Sequence, residues 1–242
     1  TLYYIYETEL RTYNIETDTS AVVHDFNSDF PSAQYITTGV EGNPSLDQRY
    51  WSFLVKDSDY NLISAVVYDK QTNSIVGHRE AFPDEVEDVS MAMSGSHCMF
   101  GFDSHVFQVC SRDLSSIRDL PSGANGHNDL ALTADGRDAL VYQNTQTDHI
   151  CMTDLDTLTE TQLIEIPFTF NTDIGLHISG NCAEKPGWVL VSTYGAKQPP
   201  PDRSHSWMDT QLFMLQLQQN PTVWPIAHTH AYTSNEYTGE KN

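Results

Sequence analysis

Along the 242 residues, apolar and polar positions alternate in short runs, each followed by a cluster of Asp, Thr, Ser, Asn or Gly. A period of two argues for strands, and no stretch of a dozen residues carries a 3.6-residue period, so the pattern predicts an all-β fold. One hairpin recurs, as an apolar alternating run, a polar turn and a second run. Its copies span Glu9–Val23, Ile63–Val76, Val106–Ile117, Ile150–Leu163 and Leu212–Trp224. With Thr17, Thr72, Ser115, Thr157 and Gln219 as turn anchors, the steps are 55, 43, 42 and 62 residues. A basic period in the low forties, at four short strands per unit, predicts the blades of a β-propeller.

A second element precedes these hairpins. Val89–Phe100 and Asp129–Tyr142 both read as strand, glycine turn, strand, and their turn residues Gly95 and Gly136 lie 41 apart. Ile174–Asn181 followed by Gly187–Thr193 is a longer version. These are the expected inner strand pairs (A and B), and the first hairpins are the outer pairs (C and D). The expected organisation is one propeller domain over 1–242, with blades near 1–28, 29–82, 83–122, 123–171 and 172–230 and a polar tail at 231–242. The first blade lacks its inner strand, because the sequence opens directly on Leu2-Tyr-Tyr-Ile-Tyr6. Either the five blades close on themselves, or they belong to a longer propeller. The second is favoured, since an open propeller would leave exposed strand edges.

Composition narrows the function. Thirty-three acidic side chains against 12 Lys plus Arg give a net charge of −21, the reverse of what phosphate neutralisation on nucleic acid requires. No apolar run reaches the roughly 18 residues of a membrane helix. The sequence begins at Thr1 without a charged-then-apolar leader, so any secretion signal is expected to have been removed or not included. Cys98, Cys110, Cys151 and Cys182 lack CxxC spacing, which argues against a zinc ribbon, a thioredoxin motif or attached haem. Cys98 and Cys110 would face each other across a hairpin, as a disulfide or as two buried thiols. The oligomeric state has no signature in the sequence.

Blade topology turns the repeat into a spatial expectation. Strand A leaves one rim, B returns to it and C leaves it again, so A-strand starts and B–C loops share a rim. His105 falls in the B–C loop of the third blade, His127 opens strand A of the fourth, and Asp148 and His149 occupy the fourth blade's B–C loop. His177 opens the fifth blade. Tyr194 ends its strand B, before the insertion Gly195–Asp209 with Lys197, Arg203 and His205. Propellers usually place ligands on such a rim. His228 and His230 have His-x-His spacing, which puts both side chains on one strand face and makes a candidate metal pair, structural calcium or zinc being the metals considered. The alternative is that these histidines are ordinary strand-end residues.

Other chemistries lack their signatures. There is no Gly-x-Ser-x-Gly elbow, the Asp-rich turns miss the oxygen spacing of a calcium loop, and Gly42, Gly123 and Gly126 do not form a phosphate loop. A glycosidase pair cannot be picked out among so many carboxylates. Histidine, tyrosine and arginine together suit β-elimination on a uronate sugar. A cation or neutral donor holds the carboxylate, a base removes the C5 proton, and an acid protonates the leaving oxygen.

Gly126-His-Asn-Asp-Leu-Ala-Leu-Thr-Ala-Asp-Gly136, Asp173-Ile-Gly-Leu-His-Ile-Ser-Gly-Asn181 and Pro186-Gly-Trp-Val-Leu-Val-Ser-Thr-Tyr-Gly195 resemble secreted bacterial propeller polysaccharide lyases, the ulvan lyases most of all. Gly101-Phe-Asp-Ser-His105 and Ala227-His-Thr-His230 fit the same context. The resemblance implies a seven-bladed propeller built from a longer chain, secreted to the outside or the periplasm, acting on a sulfated, uronate-containing polysaccharide. It implies two histidines about twenty residues apart, then a tyrosine and an arginine; here His105 and His127 are 22 apart, and Tyr194 and Arg203 follow. His127 or Tyr194 would remove the C5 proton and the other would protonate the leaving oxygen. His105 would polarise the uronate, and Arg203, or Lys197 in its place, would neutralise it; His149 and His177 complete the candidate substrate contacts. No cofactor is required for this chemistry, although a metal bound elsewhere is common in the group. Two alternatives stand beside it: an oligogalacturonate-type lyase whose uronate is held by a histidine-bound metal, and a non-catalytic extracellular propeller used for binding or assembly. An anionic polymer is repelled by a surface at −21, so the cations are expected where substrate docks. A saline medium, with a Debye length of about 3–8 Å, would weaken that repulsion.

Overall fold

The computed structural model describes residues 1–39, 42–102, 106–167, 174–194 and 206–229. Apart from one short 3-10 turn at Phe26–Ser28, its regular structure is all strand. The first sheet has three strands, β1 (Leu2–Tyr6), β2 (Glu9–Asn14) and β3 (Thr19–Asp25). The second runs β4 (Tyr35–Thr37), β5 (Tyr50–Lys56), β6 (Leu62–Asp69) and β7 (Ser74–Arg79). The third runs β8 (Val86–Met91), β9 (His97–Phe102), β10 (Gln108–Ser111) and β11 (Ile117–Asp119). The fourth is β12 (Ala124–Leu132), β13 (Asp138–Asn144), β14 (His149–Asp154) and β15 (Glu160–Glu165), and the fifth β16 (Gly175–Ser179), β17 (Trp188–Tyr194), β18 (Gln211–Gln216) and β19 (Val223–His228). Each is an antiparallel meander in which neighbours in sequence are neighbours in space, the architecture of propeller blades. Among the described residues there are five such sheets, the first with three strands and the others with four. The chain divides into two compact units, Thr1–Asp119 with the first three sheets and Leu120–Asn242 with the last two. Among the described residues no helix is long and apolar enough to cross a membrane.

Sheet-on-sheet packing explains why the runs at β5 and β6 are almost wholly apolar. On these strands Phe53, Val55, Val66 and Tyr68 pack with Leu10, Phe26 and Ile36. The alternate residues Leu54, Ala65 and Val67 pack with Val89, Met91, Phe100 and Cys110 of the third sheet. Both faces are covered, so both parities are apolar. In the second unit, Ala139, Val141, Ile150 and Met152 meet Leu176, Ile178, Val189, Val191, Phe213 and Leu215 across the gap between the fourth and fifth sheets. Each such side chain contributes about 1.5–3 kcal/mol when fully buried.

The C–D turns repeat one chemistry. Asn14, Asp69 and Asp154 end β2, β6 and β14, and the Oδ1 of each accepts the backbone N–H groups two and three residues ahead. A threonine follows three residues later, and its hydroxyl bonds the next-but-one hydroxyl: Thr17 to Thr19, Thr72 to Ser74, Thr157 to Thr159. Asp18, Asn73 and Leu158 then take left-handed backbone, with φ of 52°, 52° and 57°. The Asx turn satisfies backbone donors that would otherwise be left over at the bend. Cys98 and Cys110 are partners in register, as their hairpin spacing implied, but they are two buried free thiols; the Cys110 Sγ–H donates to the Cys98 carbonyl at 3.3 Å. Burial holds the Cys98 thiol well above 9.0, so it stays protonated.

Two of these turns are tied to a strand start by arginine. Arg49 forks onto Asp69 through Nε (3.0 Å) and Nη2 (2.7 Å), and Arg137, just before β13, pairs with Asp154 through Nη1 while its Nε holds Asp135. The guanidinium lowers the Asp69 carboxyl from its ordinary 3.8 to about 2. A carboxyl that is more acidic when folded stabilises the protein fully above its unfolded value and loses that contribution as pH falls through the folded one. Asp69→Asn is therefore expected to cost about 2 kcal/mol at neutral pH and to flatten the loss of stability between about pH 4 and pH 2. Urea unfolding across that range, compared with wild type, reads the difference; parallel acid limbs would count against the pairing.

Candidate functional site

The candidate chemistry of the second unit gathers at the start of β12, the start of β16 and the end of β17. The β12–β13 ladder shifts register between Ala124 and Asn128, and His127 lies within that irregularity. A bulge redirects side chains that strict alternation would send elsewhere. Asn128 Nδ2 donates to the Gly126 carbonyl at 3.1 Å, closing the irregular stretch from within. His127 is exposed. On β16, Leu176 and Ile178 enter the core between the two sheets, so His177, of opposite parity, lies half-buried on the other face. The two imidazoles come from different sheets, yet their ring centroids lie 4.7 Å apart with a 62° interplanar angle.

Tyr194 is the last residue of β17 and the cross-strand partner of Gly175. A Cβ at Gly175 would collide with the Tyr194 phenol ring, its hydroxyl included. The glycine is therefore the seat that lets the ring lie over β16. In that position the Tyr194 ring lies tilted at 33° to His177, centroid to centroid 5.9 Å. His177 is the middle member of a three-ring row, His127–His177–Tyr194. The two ends of the row are the groups to which the sequence assigned the two proton transfers. The Gly175 seat was not assigned from sequence, although a glycine inside a strand pattern is a signal of close approach.

The other candidates fall elsewhere. His149 opens β14 and turns its Nδ1 onto the Thr147 carbonyl at 2.5 Å, within its own hairpin. Beside it Asn144 caps the B–C turn, its Oδ1 accepting from the N–H groups of Gln146 and Thr147 and its Nδ2 donating to Glu160. The Tyr142 hydroxyl also donates to Glu160; burial, then this bond, push it far above an ordinary phenol. That excludes Tyr142 as a base at neutral pH. His228 ends β19, the strand farthest from β16, and its Nδ1 accepts from Gln211 Nε2 at 2.9 Å. Three strand spacings, about 14 Å, separate it from β16. His105, Lys197, Arg203 and His230 lie outside the described residues. Among the described residues no three His, Cys, Asp or Glu side chains converge as a cation site requires.

No family model matches the chain, and no curated protein matches it. Solved structures do. An oligogalacturonate lyase from Vibrio parahaemolyticus aligns over 98% of this chain and 65% of its own, at 12% identity and a TM-score of 0.55. An oligogalacturonate lyase in complex with manganese aligns over 93% and 72%, at 11% identity and a TM-score of 0.50. TolB from Acinetobacter baumannii aligns over 93% of this chain and 51% of its own, at 16% identity and a TM-score of 0.48. At these identities the likeness to the two lyases shows the fold alone, and this chain spans 65% and 72% of their lengths.

If Gly175 seats the tyrosine, Gly175→Ala displaces the ring from His177. The added methyl is expected to cost about 1–3 kcal/mol by overpacking and to remove the ring-current shift that Tyr194 imposes on the His177 imidazole protons. Proton NMR of the folded variant checks this; an unchanged His177 signal would show that the phenol sits elsewhere.

Proposed function

We propose that this propeller is a polysaccharide lyase that cleaves a uronate-containing polymer of the ulvan type by β-elimination. The observation that supports it is the row His127–His177–Tyr194, with ring centroids 4.7 and 5.9 Å apart across two adjacent sheets. The uronate stands over this row. One end of the row takes the C5 proton, the C5–H electron pair becomes the C4–C5 double bond, and the C4–O bond breaks. The other end supplies the proton to the departing oxygen. Imidazole and phenol suit these roles, since each exchanges a proton within hydrogen-bond reach of substrate. His177, between them, carries the proton back from base to acid and so resets the pair for the next turnover.

The substrate carboxylate needs a donor. Several cations of the described residues are already engaged by carboxylates or aromatic rings. Arg49 and Arg137 hold carboxylates, Arg112 lies over Tyr50, and Lys185 stands over Trp188 and Trp224. Lys197 and Arg203, in the insertion that follows Tyr194, are the cations assigned to the carboxylate. An anionic polymer of this size is met outside the cell, where salt screens a protein carrying −21.

Incubation with ulvan and with polygalacturonate, followed by the ultraviolet absorbance of the unsaturated product, tests the reading. His127→Ala and Tyr194→Phe are each expected to lower turnover by about 10²–10⁴-fold with the fold intact. Product formation abolished by a chelator and restored by manganese would move the assignment to the metal-dependent alternative. No unsaturated product from any uronate polymer, with folded protein, would leave a binding propeller instead.

A further inference from the structure

His127 and His177 belong to different sheets, so no hydrogen-bond ladder fixes their spacing. What does so lies two and three residues further on. Asp129 lies two residues beyond His127 on β12, and its Oδ2 accepts the N–H of Gly180, just past the end of β16, at 2.8 Å. Its other oxygen, Oδ1, accepts the N–H of Leu130 at 2.8 Å. The same carboxylate thus holds one donor on β12 and one just past the end of β16. At this point the backbones touch: a Cβ on Gly180 would collide with the Leu130 carbonyl oxygen and would come within 2.9 Å of the Ala131 Cβ. One step further, the Gly187 N–H donates to the Leu132 carbonyl at 2.7 Å. From Asp129 to Leu132, beginning two residues past His127, β12 is therefore clamped beside the chain that carries His177.

We infer that Asp129 is the positioning residue of the site, setting the distance between the His127 and His177 rings through its paired bonds to Leu130 and Gly180. A carboxylate suits the task because, ionised, it accepts at both oxygens and the bonds are charge-assisted. An amide in its place accepts at one oxygen only. Glycine at 180 is required by the same contact, since only the absence of a Cβ lets the strand ends approach this closely. Asp129 touches no reacting atom; it acts on proton transfer by holding two rings from separate sheets in one row. An error of about 1 Å in such a placement can cost as much as 10²-fold in rate.

The assignment of turnover to these rings rests on the lyase reading, but the clamp itself does not, and its test separates the two. In Asp129→Ala the His127 and His177 imidazole protons are expected to lose the mutual ring-current shifts that a centroid separation of 4.7 Å should give the wild type. On a uronate polymer, turnover should fall about 10- to 100-fold with KM little changed. Asp129→Asn, which retains one acceptor and the shape, should fall between wild type and the alanine variant, and serves if the alanine variant does not fold. Gly180→Ala should reproduce the imidazole changes with the carboxylate still present. Imidazole signals that stay at wild-type positions in a folded Asp129 variant would overturn the clamp, even if that variant melts earlier. Wild-type protein inactive on every uronate polymer would end the lyase reading, while the imidazole signals would still decide the role of Asp129.

Discussion

Face-to-face burial between successive sheets is the constraint on which the rest of this structure depends. A four-stranded meander that is apolar on both faces must bury each of them against another element. Here it becomes stable because Phe53, Val55, Val66 and Tyr68 on one face of the second sheet, and Leu54, Ala65 and Val67 on the other, each find a neighbouring sheet to pack against. The same condition joins the fourth and fifth sheets through Val141, Ile150, Leu176 and Phe213. Stacking is also what brings the ends of inner strands from different sheets side by side. A row of chemically active rings can then be assembled at that junction from residues fifty positions apart.

The site depends on departures from regular structure that stacking makes affordable. The irregular β12 ladder redirects His127, Gly175 leaves room for a phenol across the strand, and Gly180 lets two backbones touch. Each would weaken an isolated sheet. Each is tolerated where the surrounding core is closed, and each places one member of the row. The acidic surface is handled by a comparable division of labour. Turn carboxylates such as Asp69 and Asp154 are neutralised locally by Arg49 and Arg137 and committed to backbone donors, so some of the negative charge serves the hairpin turns.

Much of this was legible in the sequence because it is local. The period-two runs mark the strands, and the Asx-x-x-Thr turns at Asn14, Asp69 and Asp154 repeat a chemistry that needs only five consecutive residues. The glycine turns at Gly95 and Gly136 keep the repeat spacing, and His127, His177 and Tyr194 could be placed at strand ends from blade topology. Less legible was the double-sided burial of β5 and β6, since a continuous apolar run does not say which neighbour covers which parity. The thiol state of Cys98 and Cys110 was left open for a similar reason: cross-strand register alone allows either a bond or two packed sulfurs.

By itself, then, the amino-acid sequence determined the all-β repeat, the turn chemistry and the strand ends on which the candidate residues lie, because hydrogen bonding and side-chain parity act over a few residues. Only the tertiary structure decided which of those residues meet. It joined His177 to both His127 and Tyr194, left His149 within its hairpin and put His228 on the outermost strand. It also gave Asp129 and the two glycines their roles. Those outcomes depend on how closely two separate strands approach, a distance that is set by packing between sheets and has no counterpart in the spacing of residues along the chain.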